Sequence, residues 1–329
     1  MLTELLSDVV APRVKSILLA VESYRVRRAI QDRDSATVTR PVFIVGVPRS
    51  GTTMLYRALC RHPDLAWFSH EELPRFMTPQ RRAYVRRSLA RRRARGEKIP
   101  STENSVVAFG VSWHRPLEGS SRLPIEATTF WKCLLDHRGS SLSRKRARKL
   151  VTAVHDLVEA RSRARFVGKC PWLNTRLGIL EAVFPDAKFV HIVRDPRAVV
   201  ASAVARRSRE GFFELAESKG RPDTPDFVER CARDYRETLE AIHGFSERQD
   251  EKTFTTLRYE DLLDHRDREM TRMLHFCELQ VPARIDDIAQ PIEDTREKWK
   301  TTLEDGAGDR VLAIVRPAIE RANLSYGSA

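Results

Sequence analysis

Pro41-Val-Phe-Ile-Val-Gly-Val-Pro-Arg-Ser-Gly-Thr-Thr53 is the stretch on which the reading of this chain turns. Val42, Phe43, Ile44 and Val45 form a short apolar run of strand formers. Gly46 and Gly51 punctuate a loop, and Met54 to Leu59 continue as a helix. A strand, a glycine loop and a helix start aim backbone N–H groups and a positive helix end at one point, which suits a bound phosphate. The spacing from Gly46 to Gly51 is that of a phosphate-binding P-loop, but Thr52 and Thr53 follow where nucleoside-triphosphate enzymes carry Lys-Ser or Lys-Thr. The cradle is kept and its lysine is missing.

Working outward, strand-like segments recur. Leu65 to Phe68, Arg165 to Lys169, Ala187 to Val193 and Thr253 to Leu257 read as strands. Helices are expected over about 143–164, 173–183 and 196–208. Strands alternating with helices predict an α/β fold, a single P-loop-like domain with a parallel sheet flanked by helices. Residues 1–40 read as an N-terminal helical extension and connector, and 41–329 as the main domain. The extension carries an apolar face through Leu2, Leu5, Leu6, Val9 and Val10, broken at Pro12. Packing on the domain is the plain reading of that face, and a membrane or partner the sharper one.

The 329 residues carry a net charge of +13, and 31% are charged, a surface that favours anionic partners or simply reflects an arginine-rich composition. Nine Lys or Arg and one acid, Glu97, lie between Arg81 and Lys98. This run reads as a solvated helix face or as contact with an anionic acceptor or membrane. The five cysteines, Cys60, Cys133, Cys170, Cys231 and Cys277, show no zinc or disulfide spacing, which points to a reducing compartment. No apolar run reaches the length of a membrane span. The expectation is a cytoplasmic protein, peripheral at a membrane at most. Residues 100–130 read as an irregular excursion whose Phe109 and Trp113, with Phe130 and Trp131, suggest an apolar or carbohydrate-stacking pocket.

A second anion signal lies in Lys188-Phe-Val-His-Ile-Val-Arg-Asp-Pro-Arg197. Arg194 falls at a strand end, where open α/β sheets bind ligands, and Pro196 suits a first helical turn. Ser202 and Arg206, four apart, share a helix face. Arg194 and Ser202 could hold one phosphate, or Arg194 and Asp195 could form a structural ion pair. Two phosphate sites on one sheet match a nucleotide phosphorylated at both 5′ and 3′ positions. The donor that fits is 3′-phosphoadenosine 5′-phosphosulfate.

Together, Pro48-Arg-Ser-Gly-Thr-Thr53, Gly168-Lys-Cys-Pro171, Val193-Arg-Asp-Pro-Arg-Ala198 with Ser202, and Leu257-Arg-Tyr-Glu-Asp-Leu262 resemble a sulfotransferase over about residues 41–275. The branch it resembles includes carbohydrate and tyrosylprotein sulfotransferases and bacterial relatives. The resemblance implies a five-stranded parallel sheet, the phosphosulfate donor and its bisphosphate product PAP. By motif, Arg49, Ser50, Gly51, Thr52 and Thr53 would grip the 5′-phosphosulfate, and Arg194, Ser202 and Arg206 the 3′-phosphate. Tyr259 would lie by the nucleotide, and Lys298 or Lys300 would close over it. Glu72 or Glu71 would be the base, with His70 as a rival and a solvated loop as the plain alternative. Lys169 would stabilise the leaving oxygen or orient the acceptor, or else lie on the surface. No metal is expected. The expected acceptor is a small-molecule, lipid or glycan hydroxyl. Two other classes compete: a P-loop kinase for a small molecule, and a basic module that binds nucleic acid or membrane.

Overall fold

The computed structural model of the chain describes residues 37–69, 124–135, 142–210, 225–324 and 326. Residues 1–36 of the N-terminal extension, Glu71, Glu72, His70, the arginine run, Phe109 and Trp113 lie outside these residues. Five parallel strands form the central sheet: β1 (Val42–Val45), β2 (Leu65–Ala66), β3 (Arg165–Lys169), β4 (Lys188–Val193) and β5 (Phe254–Arg258). Their order is β2-β3-β1-β4-β5, so β1 lies in the middle with β3 and β4 on its two sides. Ile44 pairs with Lys169 on one side and Val190 on the other.

The expected fold class is observed. Strand β2 is shorter than the 65–68 expected, with Ser69 bridging antiparallel to Pro124 beyond its end. The helix before β3 is Arg144–Ala160, and the one after it starts at Leu177, behind a 3-10 turn at Pro171–Leu173. Pro171 favours that turn because its fixed φ suits a first turn and it has no N–H to satisfy.

The side-chain alternation of β1 feeds two cores. Phe43 and Val45 join one apolar cluster, with Phe166, Phe184 and Phe189, while Val42 and Ile44 join another, with Val167, Val190 and Ile192. A third cluster gathers Val193 with the helices Pro196–Glu210, Pro225–Ser246 and Ala307–Arg321. Both sheet faces are therefore covered, as an all-parallel sheet requires.

Phe130 and Trp131 are not pocket residues. They sit 1% exposed on the helix Thr128–Leu134, packed edge-on against each other, with Trp131 edge-on and Phe130 tilted against Phe68. Trp131 also meets the Phe43 ring at 6.1 Å. Burying two large rings under the sheet is worth more than leaving them at an open surface, and a local aromatic pattern cannot tell a core from a binding wall. Among the described residues no helix is long and apolar enough to cross a membrane.

Phe43 contacts four buried rings, those of Trp131, Phe166, Phe184 and Phe189. Phe43→Ala is expected to cost about 3–5 kcal/mol of unfolding free energy. Urea unfolding followed by circular dichroism measures it, and a loss below about 1 kcal/mol would contradict a core centred on this ring.

Candidate active site

Residues 46–51 link β1 to α1 (Thr52–Cys60). The loop needs glycine at two points. Gly46 has φ +151° and Gly51 φ +100°, and a Cβ on Gly51 would stand 2.8 Å from the Tyr259 ring. Arg49 itself adopts φ 77°, a left-handed conformation costly for a residue with a Cβ. Gly51 caps α1 with no side-chain acceptor, so the first-turn N–H groups of the helix receive no cap from it.

Two side chains pin the loop. Asn174, just past the 3-10 turn, accepts the Gly46 N–H at 3.2 Å and donates to the Gly46 carbonyl at 2.7 Å. Ser50 donates its hydroxyl to the Ile192 carbonyl at 3.1 Å and its N–H to the Val47 carbonyl. Both Ser50 donors are thus engaged in shaping the loop. Asn174 was not singled out in the sequence, because a lone Asn after an apolar turn looks like any turn residue.

The loop after β4 lies beside the loop after β1. Arg194, buried, donates to the Arg49 carbonyl at 3.3 Å and to the Thr295 hydroxyl at 2.7 Å. Its guanidinium stacks 4.2 Å over the Tyr259 ring. Its Nε is buried without a partner among the described residues. Arg49 in turn donates through Nε to Ser202 Oγ at 3.1 Å. Arg49, Gly51, Arg194, Ser202 and Tyr259 are therefore brought together. Arg206 lies one turn beyond Ser202 on the helix Pro196–Glu210, and its side chain is outside the described residues.

Asp195 does not pair with Arg194. Its carboxylate accepts from Arg197 Nη2 at 2.7 Å, and Arg197 stacks on Trp299 at 4.5 Å. The Asp195 N–H is taken by Glu260 at 2.9 Å, and the Arg194 carbonyl accepts from the buried Tyr235 hydroxyl at 2.7 Å. The second oxygen of Glu260 is buried with no partner among the described residues, and burial raises its carboxyl above the usual carboxylate range. Lys298 is 60% exposed on its side chain and pairs with Glu293 at 2.6 Å, while Lys300 pairs with Glu297. Glu293 also offers its carbonyl to the Tyr259 hydroxyl at 3.5 Å, so this segment borders the site.

On the β3 side, Lys169 is buried. It donates to Thr53 Oγ1 at 3.2 Å and forms an ion pair with Glu126. The plain alternative of a surface lysine is excluded. Burial pushes the neighbouring Cys170 thiol up to about 12, so it stays protonated near neutral pH and packs rather than attacks.

Glu260 binds its proton more tightly in the native protein than in the unfolded chain. The native state then holds more protons as pH rises through the ordinary carboxylate range, and stability falls there. Glu260→Gln keeps an acceptor for the Asp195 N–H and removes that slope. Melting temperatures between pH 4 and 8 are expected to decline less for the variant than for the wild type. Parallel curves would contradict a raised carboxyl.

The family model described as "Sulfotransferase family" matches residues 41–283. Protein-tyrosine sulfotransferase A of Caenorhabditis elegans is 22% identical over 253 residues, 76% of this chain and 53% of that protein. Omega-hydroxy-beta-dihydromenaquinone-9 sulfotransferase Stf3 of Mycobacterium bovis is 25% identical over 262 residues, 71% of this chain and 61% of that protein. The chain therefore matches little more than half the length of these curated relatives. The crystal structure of sulfotransferase STF9 from Mycobacterium avium superposes with a TM-score of 0.52 at 16% identity, covering 92% of this chain and 83% of that one, and shares its fold. With its family match spanning the sheet and the loops after β1 and β4, this chain belongs to the sulfotransferase family.

Proposed function

We propose that this protein moves a sulfuryl group from 3′-phosphoadenosine 5′-phosphosulfate to the hydroxyl of a small-molecule, lipid or glycan acceptor. The observation that carries this reading is the contact between the two anion-binding loops. Arg194 donates to the Arg49 carbonyl, and Arg49 donates to Ser202, so the groups suited to a 5′- and a 3′-phosphate lie side by side. A nucleotide phosphorylated at both positions has its two anions at that kind of separation. The residues fit such a ligand in two ways. Gly51 gives the helix that follows it no side-chain cap, and Arg194 Nε is a buried donor with no partner among the described residues.

When bound, the nucleotide supplies an activated sulfuryl group and an anionic leaving phosphate. The protein's tasks are alignment, charge stabilisation and removal of one proton. Arg49, Gly51, Thr52 and Thr53 bind the 5′ end, while Ser50 holds the loop to β4. Arg194, Ser202 and Arg206 bind the 3′-phosphate, Tyr259 packs between the two sites, and Lys298 borders the nucleotide. Lys169, beside Thr53, faces the phosphate oxygen that gains charge. Glu72 accepts the acceptor's hydroxyl proton as the acceptor oxygen attacks sulfur in line and the bond from sulfur to the bridging oxygen breaks; Glu71 and His70 are its rivals. The mycobacterial relative is named for an omega-hydroxylated menaquinone, in keeping with a lipid alcohol, and the Caenorhabditis elegans relative for protein tyrosine, a phenol.

Arg194→Ala is expected to weaken PAP binding about 10- to 100-fold by calorimetry while leaving adenosine 5′-phosphosulfate nearly unaffected. Equal losses for both ligands would overturn the two-phosphate model. Tighter binding of ATP with magnesium than of PAP would favour a kinase instead. Glu72→Gln should lower turnover by about 100-fold or more with PAP affinity within about threefold of wild type. Full activity would remove Glu72 as the base.

A further inference from the structure

We propose that Glu126 is a positioning residue, whose carboxylate holds the Lys169 ammonium against Thr53 so that its remaining proton faces the leaving phosphate oxygen. This rests on the sulfuryl-transfer reading given above. Lys169 ends β3 beside Ile44, two residues before the Gly46 loop. Its side chain is 4% exposed, and the Glu126 side chain 11%. An ammonium taken this far from water needs a counter-charge. It also has three N–H donors. Glu126 takes one and Thr53 another, and the third has no partner among the described residues.

Glu126 is placed with unusual firmness for a residue outside helix and strand. The Ile125 N–H donates to the Phe68 carbonyl at 2.9 Å, and the Tyr56 hydroxyl to the Ile125 carbonyl at 3.1 Å. The Trp131 indole N–H donates to the Glu126 carbonyl at 3.1 Å. Ala127 turns the chain through φ 49° into the following helix, where Thr128 meets Cys170 Sγ at 3.4 Å. Three separate elements thus clamp the backbone on either side of one carboxylate. The ion pair is the only charge contact of that carboxylate among the described residues. An arrangement this rigid orients a long, flexible lysine, which by itself would sample many rotamers.

The experiment is a double-mutant cycle of Glu126→Gln and Lys169→Met on the full chain, with Glu126→Asp as the conservative variant. Glu126→Gln is expected to lower kcat about tenfold or more with KM for the donor within about threefold. With Lys169→Met already in place, it should cost less than about twofold, and Glu126→Asp should recover part of the loss in the wild-type background. Melting temperature supplies a readout independent of nucleotide. Glu126→Gln should lower it by roughly 5–10 °C by stranding a buried ammonium, and adding Lys169→Met should restore most of that loss. If Glu126→Gln alone does not fold, a folded double variant carries the same support and an unfolded one overturns the proposal. Losses that add in both measurements would also overturn it, including the case in which Glu126 itself takes the acceptor's proton. Failure of the wild type to bind PAP would instead sink the sulfuryl-transfer reading, while the thermal cycle still decides the pair.

Discussion

The parallel pairing of β1 with β4 is the constraint on which the site depends. Val42 to Val45 align with Lys188 to His191, so the loops leaving both strands emerge at the same sheet edge. Arg194 then reaches the Arg49 carbonyl, and Arg49 reaches Ser202. Open α/β sheets bind ligands where chain connections diverge from a central strand, and β1 occupies that position here. Two short stretches, whose arginines stand 145 residues apart in sequence, become neighbours because two strands share a register.

Placing two arginines side by side is costly, and much of the neighbouring structure serves to hold them. Arg49 is kept in a left-handed conformation by its neighbours: Ser50 tied to Ile192, and Gly46 tied to Asn174. Arg194 is fixed by Tyr235 at its carbonyl and by Thr295 at its guanidinium, and Glu260 takes the N–H of the next residue. Asp195 is committed to Arg197, which stacks on Trp299 and so joins the start of one helix to the segment near the C-terminus. A donor loop preorganised in this way need not rearrange around an anion, and the resulting field is strongest where water is excluded.

The other side of β1 carries a different logic. There the basic group is a lysine at the end of β3, and its counter-charge comes from the segment that follows the bridge between Ser69 and Pro124. Buried Lys169 and Glu126 neutralise one another, whereas on the arginine side Arg194 is held by the Thr295 hydroxyl and the face of the Tyr259 ring.

How much of this was legible without coordinates follows from the range of each interaction. The strands, the glycine loop, the helix after Pro196 and the residues Arg49, Gly51, Arg194 and Ser202 announce themselves locally, through apolar runs, turn residues and short spacings. Those features determined the α/β class and the two loops that follow β1 and β4. Only the tertiary structure decided that the loops touch, that Asn174 pins Gly46 and Glu126 pairs with Lys169, that Asp195 turns to Arg197, and that Phe130 and Trp131 belong to the core. Each of these is a contact set by strand order or by packing across the sheet. A carboxylate buried 43 residues from its lysine leaves no periodic trace in the chain, because burial is a property of the assembled layers and not of any local segment.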